Sequence, residues 1–236
     1  MTEPHTQPED QRIEVPERLI HLLAGRDEFT TLDEAALDLA SVFAPRVDRD
    51  GTLRTLDRWA DDIAAQLSPS AGGAEFVSKT NRYLFEQQGL SGDSEDYFDP
   101  RNSLLDQVVA RRKGMPISLA VVYLEISRRL LRPVYGVGLP AHFMVRYHDG
   151  LVTLFVDCFH GRTLTRAQCL DLVQGLTGQR PSDDDLTFAA CTPRQILSRM
   201  ARNLARSCEQ RDLLVPALRI RGLLGLAESL SSSPRA

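Results

Sequence analysis

Gly114-Met115-Pro116-Ile117-Ser118 opens a long apolar segment, and two strand-like runs follow it, Ala141-His142-Phe143-Met144-Val145-Arg146 and Leu154-Phe155-Val156-Asp157. Gly114 stops the helix before it, and Pro116 suits the first turn of the next, where a missing N–H costs nothing. Residues 117–131 are apolar on nearly every side except at Glu125, Arg128 and Arg129, the pattern of an enclosed central helix. A helix N-terminus, a His on one strand and an Asp on the next is the chain order of a Cys-His-Asp triad. His142 and Asp157 are present; Pro116 stands at the nucleophile's position and has no group that can attack. The fold class these residues predict is α+β, with a central helix packed on an antiparallel sheet.

Outward from this stretch, residues 134–139, 142–147 and 152–158 are predicted strands, punctuated by Gly136, Gly138, Pro140 and an Asp149-Gly150 hairpin turn. A helix is expected over 165–176. Upstream, 93–100 is a polar loop marked by aromatics, and Asn102 or Ser103 is expected to cap a helix running to Lys113. Helices over 31–43, 52–67 and 75–88 carry apolar stripes such as Leu53, Leu56, Trp59, Ile63 and Leu67. The expected organisation is a disordered tail (1–15), an N-terminal helical layer (16–95), the core (96–190), a helical hairpin (191–228) and a Ser/Pro tail (229–236). In the hairpin, Ile196, Leu197, Met200 and Leu204 are expected to face Leu214, Leu218 and Leu224. One such pair resembles a single tetratricopeptide-type unit. Arrays need about three units to bury their faces, so a truncated unit docked on the core is expected.

At 236 residues, the chain is long enough to bury a full core. No run of 18 or more apolar residues appears, so no membrane span is expected. Glu3, Glu9 and Asp10 make the start too polar for a secretory leader. Cys158, Cys169, Cys191 and Cys208 are irregularly spaced with no CxxC pair, which fits a reducing cytoplasm. The net charge of −4 conceals an asymmetry: residues 1–100 carry 21 acidic and 9 basic side chains, residues 101–236 carry 11 and 19. The basic residues sit at helical spacing, as in Arg199, Arg202 and Arg206, without the interleaved aromatics of a nucleic-acid surface. Oppositely charged layers packed within one molecule are the expected explanation, with a weak acidic or phosphate-bearing partner for the second half as the alternative, and no nucleic-acid partner is expected.

Tyr97-Phe98-Asp99-Pro100-Arg101-Asn102-Ser103-Leu104-Leu105 and Arg111-Arg112-Lys113-Gly114-Met115-Pro116-Ile117-Ser118-Leu119 together resemble the SirB-type transglutaminase-like family. Gly136-Val137-Gly138-Leu139-Pro140-Ala141-His142-Phe143 and Phe155-Val156-Asp157 extend the resemblance in order, and it covers roughly residues 30 to 225. It implies a fold related to transglutaminases and papain-like peptidases, with a C-terminal tetratricopeptide region abbreviated in this chain. By position, the superfamily's Cys falls on Pro116, its His on His142 and its Asp on Asp157. Where relatives tend to have Asp-Pro-Phe and a Gly-Gly pair, this chain has Asp157-Cys158-Phe159-His160-Gly161.

Two side chains are candidate replacement nucleophiles. Ser118 lies about 200° round the helix from Pro116, pointing away from His142, and suits a local backbone cap. Cys158 follows Asp157 directly, but strand neighbours point to opposite faces, so His142 cannot easily serve both. A metal held by His142, Asp157 and His160 would need a tight cluster with open positions; neither a metal nor a cofactor is expected. His142 and Asp157 are expected to form a buried hydrogen-bonded pair across adjacent strands, with the imidazole toward the Pro116 helix. The sequence thus favours a non-catalytic binding or scaffolding module over a hydrolase or acyl/amine transferase. Tyr97, Asn102, His142, Phe143, Asp157 and His160 are its candidate binding residues, with a protein or peptide in the cleft or on the C-terminal hairpin.

Overall fold

The computed structural model describes residues 15–26, 30–44 and 46–232. The disordered tail expected over 1–15 lies outside the described residues up to residue 14, as does 233–236 of the Ser/Pro tail. The chain is α+β, with helices on both faces of an antiparallel sheet.

A helix absent from the sequence expectations, α1 (Glu17–Leu23), buries Leu19, Leu22 and Leu23. After α2 (Leu32–Phe43), α3 (Arg49–Ala64) begins earlier than residue 52 because the Asp48 side chain accepts the Gly51 amide and caps it. The predicted helix over 75–88 is α4 (Gly73–Asn81) followed by a widened π-turn, Arg82–Gln87, stopped by Gly89 at φ +72°. The helix expected from Asn102 or Ser103 to Lys113 is also divided. Pro100–Ser103 is a 3-10 turn capped by the Asp99 carboxylate, which accepts from Arg101 N at 2.9 Å. The α5 helix (Leu105–Arg111) ends at Arg112 in the left-handed region. Asn102 is therefore no cap; its amide donates to Asp96 O at 2.8 Å. Two short parallel strands, β1 (Ser91–Gly92) and β2 (Lys113–Gly114), pair here.

The enclosed helix is α6 (Pro116–Arg129), buried even at Glu125. The sheet is a meander of β3 (Val134–Leu139), β4 (His142–His148), β5 (Thr153–Asp157) and β6 (Arg162–Leu164) in sequence order, all neighbours antiparallel. The first three match the expected strands closely, and β6 adds an unexpected edge. The turn between β4 and β5 is held by Asp149, whose carboxylate accepts from Leu151 N and Val152 N, with Gly150 at φ +89°. Alternation divides the sheet's side chains: Phe143, Val145 and Tyr147 join the main core with α6, while Met144 and Phe155 pack under α7 (Arg166–Thr177) with Leu170, Val173 and Phe188.

The α8 (Pro193–Glu209) and α9 (Leu214–Ser231) helices form the C-terminal hairpin, so it continues past residue 228 into the expected tail. Its inward face on α9 is Ala217, Ile220, Leu223 and Ala227. Leu214 and Leu218, expected inward, are exposed at 63% and 71%. The helix carries leucines all round, so periodicity alone does not select the buried stripe. Helices α1 and α2 pack against α8 and α9, and all four contribute side chains to the main core.

Candidate functional site

The start of α6 is anchored before it can present anything. Met115 is the N-cap and Pro116 the first helical residue. Met115 N donates to Asn102 O at 3.0 Å, and the fully buried Ser118 hydroxyl donates to the same carbonyl at 2.5 Å, with Met115 O 3.0 Å away. Ser118 is thus a local fastener, as its position round the helix implied, and is not presented as a nucleophile. Arg111 fixes the preceding loop through Asp93 at 3.3 Å, Asn102 Oδ1 at 3.2 Å and Asp99 at 3.6 Å. That clamp holds Tyr97 and Phe98, packed edge to face at 5.3 Å, over the α6 terminus.

His142 is set by the Pro140-Ala141 turn, where Ala141 adopts φ +55° and Leu139 pairs with His142. In β4–β5, Val145 pairs with Val156; one residue further, Asp157 falls diagonal to His142 on the same face. His142 Nε2 lies 2.9 Å from Asp157 Oδ1, with the imidazole 4% exposed and the carboxylate fully enclosed. The other oxygen, Oδ2, accepts from His160 Nδ1 at 2.6 Å, and Phe159 N donates to Oδ1 at 3.2 Å. Burial alone would push the Asp157 carboxyl up; hydrogen bonds and charge from His142 and then His160 prevail and hold it at about 2. An ionised carboxylate only accepts, so both rings donate to it. His142 Nδ1 is left with no protein partner among the described residues.

Pro116 and His142 share the wall of a cavity of about 330 Å³. Its apolar surface comes from Tyr97, Phe98, Met115, Ile117 and Phe143. Of the expected binding residues, Tyr97, His142 and Phe143 line it; Asp157 lies behind His142, while Asn102 and His160 are outside the lining. Burial, the leading effect, raises the Tyr97 phenol, opposed by the charges of Arg199 and Arg206.

Sequence reasoning missed the third wall. Helix α8 contributes Arg199, Asn203 and Arg206, at helical spacing on one face. Arg199 Nη2 donates to His142 O at 2.7 Å and Leu139 O at 3.0 Å and sits over the Phe143 ring at 5.4 Å. Arg206 sits over Phe98 at 5.5 Å, and Arg211 ion-pairs with Asp96, tying the α8–α9 turn to the aromatic loop. Their helical spacing was visible, but it reads equally as a solvated face.

Cys158 is fully buried, and burial followed by the Asp157 charge raises its thiol well above the ordinary range, which disfavours the thiolate. No group of three or more His, Cys, Asp or Glu among the described residues could hold a metal ion. No helix among them is long and apolar enough to cross a membrane.

A helix N-terminus facing a strand His that is backed by an Asp on the next strand defines the transglutaminase-like class of α+β core. The chain belongs to the transglutaminase-like superfamily, whose family model matches residues 50–202, and to the UPF0162 proteins within its relatives. A UPF0162 protein of Xylella fastidiosa (strain 9a5c) is 37% identical over 225 residues, covering 86% of this chain and 74% of that protein. The Pseudomonas aeruginosa UPF0162 protein PA3419 is 34% identical over 173 residues, 73% of this chain and 63% of that one. Human F-box only protein 21 is 29% identical over 140 residues, 56% of this chain but 21% of its own length. No solved structure matches significantly.

Proposed function

We propose that this chain is a SirB-type transglutaminase-like protein that has lost its catalytic Cys and with it acyl-transfer chemistry. It works in the cytoplasm as a binding, scaffolding or regulatory module, and its cleft takes a protein or peptide segment. The observation that carries this reading is Pro116 at the first turn of α6, on the wall it shares with a His142 still backed by Asp157. A base and its orienting carboxylate remain, and removing a nucleophile from such a set typically costs on the order of 10⁶ in rate. A hydrolase or transferase using Cys158 or Ser118 is disfavoured because both side chains are enclosed.

Purified protein is expected to leave ester, amide and peptide probes intact; turnover that disappears in His142→Ala would overturn the reading. A second test reinstates the missing atom. Pro116→Cys removes only a ring at a position that uses no N–H, so its cost is no more than about 1 kcal/mol from lost restriction of the unfolded chain. The new thiol sits at a helix N-terminus beside an imidazole, which lowers its pKa. With lower intrinsic nucleophilicity offsetting part of the gain, alkylation by iodoacetamide near about pH 6.5 should be about five- to tenfold faster than for an exposed control Cys. Equal rates would break the residue correspondence on which the reading rests.

A further inference from the structure

We propose that the cleft between the α6 terminus, β4 and α8 is a carboxylate site: it takes a peptide segment whose carboxylate meets Arg206 and Asn203 and whose apolar side chain lies against Tyr97, Phe98 and Phe143. This rests on the non-catalytic reading above and names the ligand chemistry for the same cleft.

The polar groups at the cavity are unspent donors. Arg206 pairs with no carboxylate among the described residues and only overlies Phe98 at 5.5 Å. Asn203, one helical turn before it, makes no side-chain hydrogen bond among them. Arg199 spends one nitrogen, Nη2, on the Leu139 and His142 carbonyls and has no acidic partner there. No acidic side chain lines the cavity among the described residues, and the nearby Asp157 is already saturated by two rings. Ile117 lines the cavity at the first turn of α6, and its amide has no acceptor among the described residues; such amides favour an anion. These donors converge on a pocket that is otherwise aromatic and aliphatic.

Size and polarity choose the ligand. About 330 Å³ accommodates a side chain and its terminus. An apolar wall bordered by guanidinium groups suits an amphipathic peptide end better than a free inorganic anion, and Arg is the residue that reads planar carboxylates.

The probes are acetyl-Ala-Ala-Leu with a free C-terminal carboxylate, its C-terminal amide, and acetyl-Ala-Glu-Leu amide, titrated by NMR into the full chain. At least one carboxylate-bearing peptide is expected to bind about tenfold or more tighter than the uncharged amide, the scale of one charge-assisted hydrogen bond. The free-terminus and glutamate peptides distinguish a terminal from a side-chain carboxylate, and either result supports the site. Arg206 is on the surface, so Arg206→Gln should fold normally, confirmed by an unchanged melting temperature, and lose that preference; Asn203→Ala should weaken it. Equal affinity for acid and amide, an unaltered preference in Arg206→Gln, no binding of any probe, or displacement of the acid by equimolar inorganic phosphate would each overturn the proposal. Turnover of a probe would instead overturn the non-catalytic reading, so the two failures are told apart.

Discussion

Asp157→Ala is expected to lower folding stability by about 1–3 kcal/mol near neutral pH, because buried donors lose their acceptor. The enclosed carboxylate holds His142 at 2.9 Å and His160 at 2.6 Å, accepts Phe159 N, and has Arg162 Nε at 3.4 Å. Truncation strands the enclosed His142 and the Phe159 amide, while the half-exposed His160 and Arg162 can turn to water; Asp157→Asn keeps the shape and part of the hydrogen bonding and should cost less. Urea denaturation followed by the single, buried Trp59 measures both variants. The carboxyl's folded value is depressed from 3.8 to about 2, so its stabilisation is full above 3.8 and is lost as pH falls through about 2. That loss amounts to about 2 kcal/mol at roughly 1.4 kcal/mol per unit and should be missing from both variants. An alanine variant within about 1 kcal/mol of wild type would mean that the His142–Asp157 pair does not hold the sheet end together.

The start of α6 and the pairing of His142 with Asp157 were legible because local punctuation marks them. Gly114 and Pro116 fix where α6 begins, Pro133 where the chain leaves it, and Asp149-Gly150 the hairpin, so β3 falls where alternation put it. What escaped is set by segments distant in sequence. The two-residue strands β1 and β2 form only because residues 91–92 reach 113–114, and a Cβ on Gly92 would lie 2.3 Å from the Phe159 ring. The Asn102 side chain is drawn to Asp96 rather than to a helix cap. On α9 the apolar residues surround the helix, and docking on α1 and α8 selects Ile220 and Leu223 over Leu214 and Leu218. The same ambiguity hid the third wall of the cavity. Arg199 and Arg206 carry no mark in sequence that separates a cleft from solvent, since only the fold brings α8 over His142.

Glu125→Gln is expected to reshape the pH dependence of stability more than any other single substitution on α6. Glu125 is 2% exposed within a cluster joining α2, α3 and α6. It contacts Arg128 Nε at 2.7 Å and Arg129 Nη1 at 3.0 Å, while Arg129 also reaches Asp33 at 2.7 Å and Asp57 at 2.7 Å. Two buried carboxylates therefore share the cations, and they are not equivalent. Burial opposes ionisation of Asp33, but Thr31 and Arg129 overcome it and hold its carboxyl below the usual range. For Glu125, burial and the adjacent Asp33 charge outweigh Arg128 and raise it from 4.5 to about 7. A raised folded value means that the folded state holds the proton more tightly. Its contribution is full below 4.5 and disappears as pH rises through about 7, a decline of about 3 kcal/mol at roughly 1.4 kcal/mol per unit. Glutamine keeps the neutral shape at every pH, so the variant should gain about 3 kcal/mol on wild type between about pH 4.5 and about pH 8. Denaturant midpoints measured across that range decide it. Parallel curves for the two proteins would show that Glu125 is ionised throughout and that its arginines, not its burial, set its charge.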